Sequence, residues 1–470
     1  MMSRSEKEQT HAASLRILER SGACVRSATA LRLLKDAGAK VGDEDMRVYF
    51  PESMVTDALR SSSKEFVLGA RNPRHDLKIP ANGFPFLSTD GFPVAIRDSD
   101  TLIKRPSTRR DLEKWAILAD SVSTVDLFWP TTTPTDLPTR LQLVGGLRTS
   151  YENTEKHVQY QAFSGQEARF EIEMACAVAG DEAENRRRPH FSSVQCIVAP
   201  LQYEGGSTDA VIEFARAGIP VVAMSMVTPG MTGPATLAGS VALANAEVLG
   251  SLVISNLANR GARVFYCFVC TPLDMKFGTF ATGSPEYGVL GIAGSEMARH
   301  YGLPSMMSGY GSSAKTPGVQ AGFEKGITTA AVALSDCDLL TGIGSLNDAS
   351  FASMEELLID AQMWEDIKRT WAGMEVNESD LALEVIEKVG PKGQYLSQPH
   401  TLANYRKLHV PKYRDRSSYT AWEASGKKDM LATVQAEVKD ILARHRPKPL
   451  DKDVELKLAE IEKRASKAVA

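Results

Sequence analysis

The amino-acid sequence predicts an α/β protein built around a parallel sheet. Across residues 108–373, helical stretches alternate with short apolar runs rich in β-branched and aromatic residues, which is the pattern of repeated βα units. Gly218 and Gly302 each follow a helical stretch and precede an Ile-Pro or Leu-Pro pair, as expected where a helix ends before a buried strand. Both observations favour parallel strands joined by helices.

Seven strands are clear in the sequence, whereas a closed barrel needs eight. We expect the missing strand either before Val125 or after Phe351, and an open doubly wound sheet is the alternative. The predicted strands are 125–130, 157–163, 193–199, 220–226, 263–269, 305–310 and 339–343, and the clearest helices between them are 168–179, 208–217, 237–259 and 288–301.

The chain divides into three predicted segments. Residues 1–107 form an N-terminal α+β extension, with helices at 6–19, 28–36 and 52–59 and a hairpin of 84–87 and 92–96 around Asp90-Gly91. Residues 108–390 form the β/α barrel domain. Residues 391–470 form a helical C-terminal tail, whose helices at 430–445 and 451–467 are expected to pack on the barrel through an apolar face.

Composition limits the classes of function. The chain has 470 residues, 43% hydrophobic and 24% charged, with a net charge of -4, which is typical of a soluble globular protein. The longest basic run, 186–188, is too short for a nucleic-acid-binding stripe. We find no apolar run of about 18 residues and no apolar signal peptide, so we expect a cytoplasmic protein without a membrane partner. Six cysteines are too few for a disulfide scaffold.

Several motifs follow one another in the second half of the chain. They lie at 229–239, 283–286, 301–304, 313–315 and 353–357, with Glu247, Gln320 and Glu324, and a second block comprises 400–402, Arg406, Pro411, 415–416 and Trp422. In this order they resemble the motifs of the trimethylamine methyltransferase (MttB) superfamily, and the resemblance extends over almost the whole chain. Two departures stand out. No acidic residue lies between Lys315 and Gln320, and no pyrrolysine occurs near residues 308–312, where founding members carry it.

The resemblance implies a TIM (β/α)8-type barrel that passes a methyl group from an amine to the corrinoid (cobalamin) of a partner protein. The absence of pyrrolysine points to the branch that acts on quaternary amines, with glycine betaine as the leading substrate and dimethylglycine as the product. Proline betaine, carnitine and γ-butyrobetaine are alternatives because they differ in length and not in reaction. A homo-oligomer is also open, since barrels of this size frequently pair.

A quaternary amine suits a protein without pyrrolysine on chemical grounds. Its nitrogen already carries the positive charge that makes it a leaving group, whereas a tertiary amine must first be activated. Because the Co(I) nucleophile would come from a partner protein, this chain needs only to orient the amine and exclude water. We therefore expect no acid, base or covalent nucleophile, and no metal or nucleotide bound by the chain itself.

A trimethylammonium group is expected to bind against aromatic faces, each of which contributes about 0.5 to 2 kcal/mol of cation–π attraction. Alternation points only half of the aromatic residues at strand ends into a barrel, and each one singly more often packs in the core. A carboxylate on the substrate calls for a cation or free backbone amides, for which we predict His400 and the turn at Gly230 and Gly233. The candidate aromatic residues are Trp129, Phe163, Tyr266, Phe268, Tyr310 and Phe351.

Other kinds of site have weaker support in the sequence. A metal site at Cys267 and Cys270 would rest on one CxxC pair without further ligands of zinc spacing. Lys276 or Lys315 could form a Schiff base in a barrel aldolase or lyase, although a solvated or ion-paired lysine is expected at both. A non-catalytic betaine-binding barrel is the second hypothesis for the function.

Overall fold

The computed structural model describes residues 1–42, 45–98 and 100–468. Its centre is a closed barrel of eight parallel strands in sequence order, with the last strand paired to the first. The predicted TIM (β/α)8-type fold is therefore confirmed, and the open doubly wound sheet is wrong. The barrel strands are β1 (Phe86–Thr89), β2 (Leu127–Phe128), β3 (His157–Tyr160), β4 (Phe191–Ile197), β5 (Val221–Ser225), β6 (Val264–Phe268), β7 (Ser305–Ser308) and β8 (Leu339–Ile343).

The strand missing from the sequence pattern is β1, which lies within residues 1–107. Ser88 pairs with Leu127 of β2, and Phe86 pairs with Leu339 of β8, so β1 closes the barrel. The predicted hairpin around Asp90-Gly91 is wrong, because Ala95–Arg97 pairs with Lys104–Pro106 instead of with β1. An Asp-Gly pair favours a tight turn locally, but here the partners of β1 are distant in sequence.

Helices form a layer around the barrel. Several begin at a serine whose side chain accepts a hydrogen bond from a first-turn N–H, as Ser164, Ser284 and Ser353 do. In chain order the helices are α1 (Arg4–Arg16), α2 (Ala28–Asp36), α3 (Glu52–Ser61), α4 (Arg109–Ser121), α5 (Gln142–Asn153), α6 (Gly165–Ala179), α7 (Glu182–Arg187), α8 (Gly205–Ala217), α9 (Leu237–Ala258), α10 (Pro285–His300), α11 (Val319–Ala333), α12 (Met354–Trp371), α13 (Glu378–Leu381), α14 (Leu383–Val389), α15 (Pro399–Asn404), α16 (Tyr419–Ala424), α17 (Met430–Arg444) and α18 (Lys452–Ala468).

Four small sheets complete the fold. One joins Ala23–Val25, Lys40–Val41, Arg47–Tyr49 and Gln202–Tyr203, and a second joins Ala95–Arg97, Lys104–Pro106, Ser345–Leu346 and Phe351–Ala352. Leu273–Asp274 pairs with Thr279–Phe280 in a hairpin that follows β6. The remaining hairpin, Phe66–Leu68 with Leu77–Ile79, is called the plug below.

The plug closes the amino end of the barrel. Its side chains join the interior cluster, where Phe66 meets Phe265 of β6 edge-on with ring centroids 5.1 Å apart. Ala81, just after the plug, donates its N–H to the Asp338 carboxylate at 2.8 Å, and Asp338 immediately precedes β8. Because the amino end is packed with apolar side chains, the carboxyl end is left for a ligand, as in other barrels of this type.

Helix α9 has the length and apolar composition of a membrane span, which corrects the expectation that the sequence holds no such run. In the fold, 78% of its most apolar window is buried, because the helix packs against α1, α3, α8 and α10 as well as against the barrel. The apolar side chains of α9 are thus buried against the surrounding helices and the barrel.

The C-terminal residues have two kinds of environment. Helix α17 packs on α4 and α12, and α18 packs on α5 and α6, so the helical tail predicted from the sequence is confirmed. Between α12 and α17 the chain is different, since none of the described residues in 371–410 is buried. We call residues 374–408 the arm.

Candidate active site

The carboxyl ends of the barrel strands form an open mouth. Cys196 of β4 is solvent-exposed, although its sulfur lies only 3.9 Å from the sulfur of the interior residue Met224. Met226, two residues further along, is 42% exposed, so solvent enters the barrel from this side. Although part of the residue is exposed, desolvation of the thiol by the surrounding protein raises the pKa of Cys196 to about 11, which keeps the thiol uncharged near neutral pH.

Asp90, which directly follows β1, brings a carboxyl group to this mouth. Its Oδ1 accepts a hydrogen bond from the Gly91 N–H at 2.9 Å, and Ser345 also hydrogen-bonds to the carboxyl group. Burial raises the pKa of Asp90 above its ordinary value, although Ser345, Gly91 and the charge of Lys325 act in the opposite direction. A bound cation would favour the ionised form of this group.

Tyr287 and Ser308 form a second polar group at the mouth. Tyr287 comes from the first turn of α10, and its hydroxyl makes a close hydrogen bond with that of Ser308 at the end of β7. The Tyr287 hydroxyl is also within electrostatic range of Asp90. Tyr287 follows the motif at 283–286, so its position beside that motif is the signal that could have identified it from the sequence.

Trp129 is the predicted aromatic residue that joins the interior cluster. It lies two residues after the inward-facing Leu127, so strand alternation points its indole inward. The indole packs against the backbone after β1, because a Cβ on Gly91 would lie 1.9 Å from its Cε2. Within the described chain its N–H has no hydrogen-bond partner. An aromatic face and a free donor therefore lie next to Asp90.

Gly91→Ala is expected to displace the Trp129 indole and to destabilise the fold by about 1–3 kcal/mol, since the added methyl group overpacks a filled space. The measurement is urea unfolding together with near-UV circular dichroism. Gly165→Ala is the matched control, because its Cβ would meet Asp209 at 3.4 Å, an ordinary contact. Equal unfolding midpoints for the two variants would contradict the packing of Trp129 on Gly91.

Tyr266 and Phe268 of β6 point outward from the barrel. The Tyr266 hydroxyl donates to Asn245 of α9 at 2.8 Å, and the Phe268 ring packs so closely on α10 that a Cβ on Gly294 would approach it to 2.7 Å. The inward positions of this strand belong to Phe265 and Cys267. The two predicted residues therefore pack between the barrel and its helices and do not line the mouth.

Tyr310, Phe351 and Phe163 also lie outside the barrel interior. The Tyr310 hydroxyl donates to the Asp360 carbonyl of α12 at 3.2 Å. Phe351 is buried with Ala95, Ala314, Ala321 and Leu346. Phe163 is 60% exposed and lines a shallow cleft of about 280 Å³ beside α5, α6 and α18. The structure thus brings one of the six predicted aromatic residues, Trp129, to the mouth.

The residues predicted to bind a carboxylate are placed differently from expectation. His400 lies in the arm, where its ring makes no hydrogen bond with any described residue and its carbonyl accepts from Asn404. The Gly230 N–H donates to Gly233 O, and the Gly233 N–H donates to Thr228 O, both at 3.1 Å. Since these bonds occupy both amides, the turn offers neither of them to a substrate.

The motifs at 283–286 and 313–315, together with Gln320 and Glu324, contribute residues to one cleft of about 570 Å³ beside the mouth. Glu324 organises it by accepting from the Ser312 hydroxyl at 2.7 Å, the Ser313 N–H at 2.9 Å and Gln320 at 2.8 Å. Asp348 adds a carboxylate by accepting from the Ser313 hydroxyl at 2.9 Å. An acidic group thus reaches this loop from after β8, although none occurs between Lys315 and Gln320.

Behind the mouth lies a buried cluster of charges that the sequence did not reveal. Lys325 of α11 donates to Glu356 at 2.8 Å and to Asp360 at 2.7 Å, and all three side chains are at most 1% exposed. Burial alone would lower the pKa of Lys325, but the two carboxylates hold it above its ordinary value. Burial raises the pKa of Asp360, and the charge of Lys325 acts in the opposite direction by favouring the ionised carboxylate. The cluster anchors α11 to α12 beneath Asp90.

The structure gives little support to the other chemistries considered. Cys267 faces the barrel interior, whereas the Cys270 thiol points to the Ser225 carbonyl at 3.8 Å, so the pair does not converge. Lys276 and Lys315 are exposed, outside the desolvated interior that a Schiff-base lysine requires. In the described ranges, no group of three His, Cys, Asp or Glu side chains could hold a metal ion.

A closed parallel barrel with an open, partly polar mouth at its carboxyl end is the architecture of (β/α)8-barrel enzymes. Among solved structures, the monomethylamine methyltransferase of Methanosarcina barkeri has the same fold, with a TM-score of 0.50 over 91% of this chain and 96% of that one at 13% identity. Identity at that level supports a shared fold alone.

The chain belongs to the trimethylamine methyltransferase (MttB) family, whose model matches residues 1–469. It is 34% identical to a trimethylamine methyltransferase of Desulfitobacterium hafniense, over 96% of this chain and 91% of the relative. It is 31% identical to a glycine betaine methyltransferase of the same species, over 97% and 95%. The family predicted from the motifs is confirmed.

Proposed function

We propose that the protein transfers a methyl group from glycine betaine to the Co(I) corrinoid of a partner protein and releases dimethylglycine. The cobalt lone pair forms the new bond to the methyl carbon while the C–N bond breaks, and the nitrogen keeps the bonding pair. No proton is taken up in this step. The reaction therefore needs no acid or base from this chain.

The observation that carries the proposal is the pairing of Asp90 with Trp129 at the mouth, where the hydroxyls of Tyr287 and Ser308 add polar but uncharged groups. A quaternary ammonium carries one positive charge spread over apolar methyl groups, so it suits a carboxylate beside an aromatic face. Cys196 and Met226 supply apolar contact opposite these groups without a competing charge. The mouth is also open, as it must be for a cobalt centre to approach the methyl carbon.

The choice of a quaternary amine rests on the absence of pyrrolysine and on the similarity to a glycine betaine methyltransferase. The sequence identity to a trimethylamine methyltransferase is 34% and that to the glycine betaine methyltransferase is 31%. The choice between the two substrates therefore requires a direct test. Trp129 Nε1, which has no hydrogen-bond partner among the described residues, is the donor that we assign to the carboxylate end of the substrate. In this proposal it takes the place of the predicted His400, Gly230 and Gly233.

The test is to mix the purified protein anaerobically with Co(I) cobalamin and one amine at a time, and to follow the visible spectrum. We expect methylcobalamin to form with glycine betaine and not with trimethylamine. Proline betaine, carnitine and γ-butyrobetaine test the length of the pocket. The proposal would be overturned if methylcobalamin formed with trimethylamine and with none of the quaternary amines, or if it formed with none of the amines. Tight betaine binding without transfer would instead favour the non-catalytic binding barrel.

A further inference from the structure

One side of the barrel mouth is lined with sulfur atoms. Cys196 of β4 pairs in register with Met224 of β5, and the two sulfur atoms are 3.9 Å apart. Met224 belongs to the barrel interior, and Met226, two residues further along, is 42% exposed. We call Cys196, Met224 and Met226 the sulfur wall.

Two further sulfur-bearing side chains lie behind the sulfur wall. Cys267 of β6 pairs with Met224, and Met306 of β7 pairs with Cys267, so sulfur atoms form one row across four neighbouring strands. Both residues are fully buried, and the Met306 sulfur accepts a hydrogen bond from the Gln159 carboxamide at 3.5 Å. They therefore support the sulfur wall from inside the barrel, whereas the wall itself faces a ligand in the mouth.

The sulfur wall lies across the mouth from Asp90 and Trp129. In the closed barrel, four strands separate β1 from β5 in either direction, so the residues that follow these two strands face each other. Thioether and thiol sulfurs are polarisable and carry no charge here. A ligand in the mouth thus meets a carboxylate and an aromatic face on one side and neutral, polarisable sulfur on the other.

Polarisable sulfur suits one kind of methyl-bearing cation better than another. In a quaternary ammonium, four carbon atoms enclose the nitrogen, and the wall can touch only methyl groups. A sulfonium cation has three carbon substituents, and the positive potential of its sulfur is open along the extension of each C–S bond. The lone pair of a neutral thioether or thiol can approach the cation along these directions, which gives a sulfonium an additional attraction.

We infer that the protein also demethylates sulfonium compounds of the betaine type, in which a dimethylsulfonium group replaces the trimethylammonium group. The inference rests on the proposed function, because it uses the same mouth and the same Co(I) acceptor. As the cobalt lone pair forms the new bond to the methyl carbon, the C–S bond breaks and the sulfur keeps the bonding pair. The product leaves as a neutral thioether, and the step takes up no proton and needs no further reactant.

The first experiment measures binding without any corrinoid. Isothermal titration calorimetry compares glycine betaine with dimethylsulfonioacetate, its sulfonium counterpart. Met224→Leu with Met226→Leu keeps the volume of both side chains and removes two sulfur atoms, so we expect roughly 3- to 10-fold weaker binding of the sulfonium, the size of a favourable sulfur contact, and unchanged binding of glycine betaine. Met297→Leu, at a buried methionine of α10, is the control and should bind both cations like the wild type.

The second experiment measures methyl transfer from dimethylsulfonioacetate to Co(I) cobalamin under anaerobic conditions. A reaction without protein gives the spontaneous rate, and mass spectrometry identifies the thioether product. We expect the wild type to accelerate the transfer, and the double leucine variant to accelerate it less.

Three results would each overturn the inference. They are a sulfonium that does not bind, a transfer rate that the protein does not raise, and a double leucine variant that loses affinity for both cations equally. Methyl transfer from glycine betaine alone would leave the proposed function standing and remove the inference. Transfer from the sulfonium alone would remove the proposed function and leave the inference standing.

Discussion

Lys325→Met is expected to lower the free energy of unfolding by about 3–5 kcal/mol, the usual cost of leaving a buried charge without its partner. The substitution removes the Lys325 ammonium group from between Glu356 and Asp360, and both carboxyl groups lie away from solvent. One oxygen of each already lacks a hydrogen-bond partner among the described residues. Urea unfolding monitored by tryptophan fluorescence measures the change, with the shift of the midpoint as the readout.

Two further variants separate charge pairing from packing. Lys315→Met removes an exposed lysine from the same region and is expected to change the stability by less than about 0.5 kcal/mol, as surface substitutions usually do. Adding Glu356→Gln and Asp360→Asn to Lys325→Met should restore part of the loss, because the cluster of these three residues then holds no charge. A Lys325→Met midpoint equal to that of Lys315→Met would show that the cluster does not stabilise the fold.

Asp90→Asn is expected to weaken the binding of glycine betaine roughly 10- to 100-fold, since an interaction with a charged group contributes about 1.5–3 kcal/mol. Isothermal titration calorimetry with glycine betaine alone measures the binding without any corrinoid. Asp453→Asn, at an exposed position on α18, is the control and should bind like the wild type. Unchanged affinity in Asp90→Asn would remove Asp90 from the proposed site.

If Asp90 binds the cation, the affinity for glycine betaine should also change with pH in a defined direction. The pKa of Asp90 is raised by burial, so lowering the pH protonates the carboxyl group earlier than it would in solution. Because the cation binds the ionised form, the affinity of the wild type should fall as the pH is lowered. Asp90→Asn should bind with an affinity that does not change over the same range, since neither the amide nor the quaternary ammonium titrates.

Most of the barrel could be predicted from the sequence, because buried parallel strands are continuous apolar runs separated by helices. Strand β1, however, could not be predicted from this pattern. It has four residues, two of them Ser88 and Thr89, and its pairing with β8 joins distant parts of the chain. The Asp-Gly pair after β1 is a local turn signal, whereas nothing in the local sequence indicates that β1 pairs with β8. The sequence therefore predicts a hairpin where the structure has a barrel strand.

The site was less predictable, because the direction of a side chain depends on the register of its strand. A shift of one residue turns an inward position outward, which is why Tyr266 and Phe268 were candidates although Phe265 and Cys267 face the interior. Lys325 was missed for a different reason. Its helix has an ordinary mixed composition, and the two carboxylates that make the lysine buried and charged come from another helix, α12.

The plug fixes the order of events in the proposed reaction. Because the amino end of the barrel is closed, the amine and the corrinoid protein must both reach the site through the mouth at the carboxyl end. The amine has to bind first, because a docked corrinoid protein would cover the mouth. Demethylated product can leave only after that protein departs. For the proposed reaction we therefore expect compulsory-ordered binding, in which an excess of the methyl acceptor traps the empty enzyme and slows the reaction.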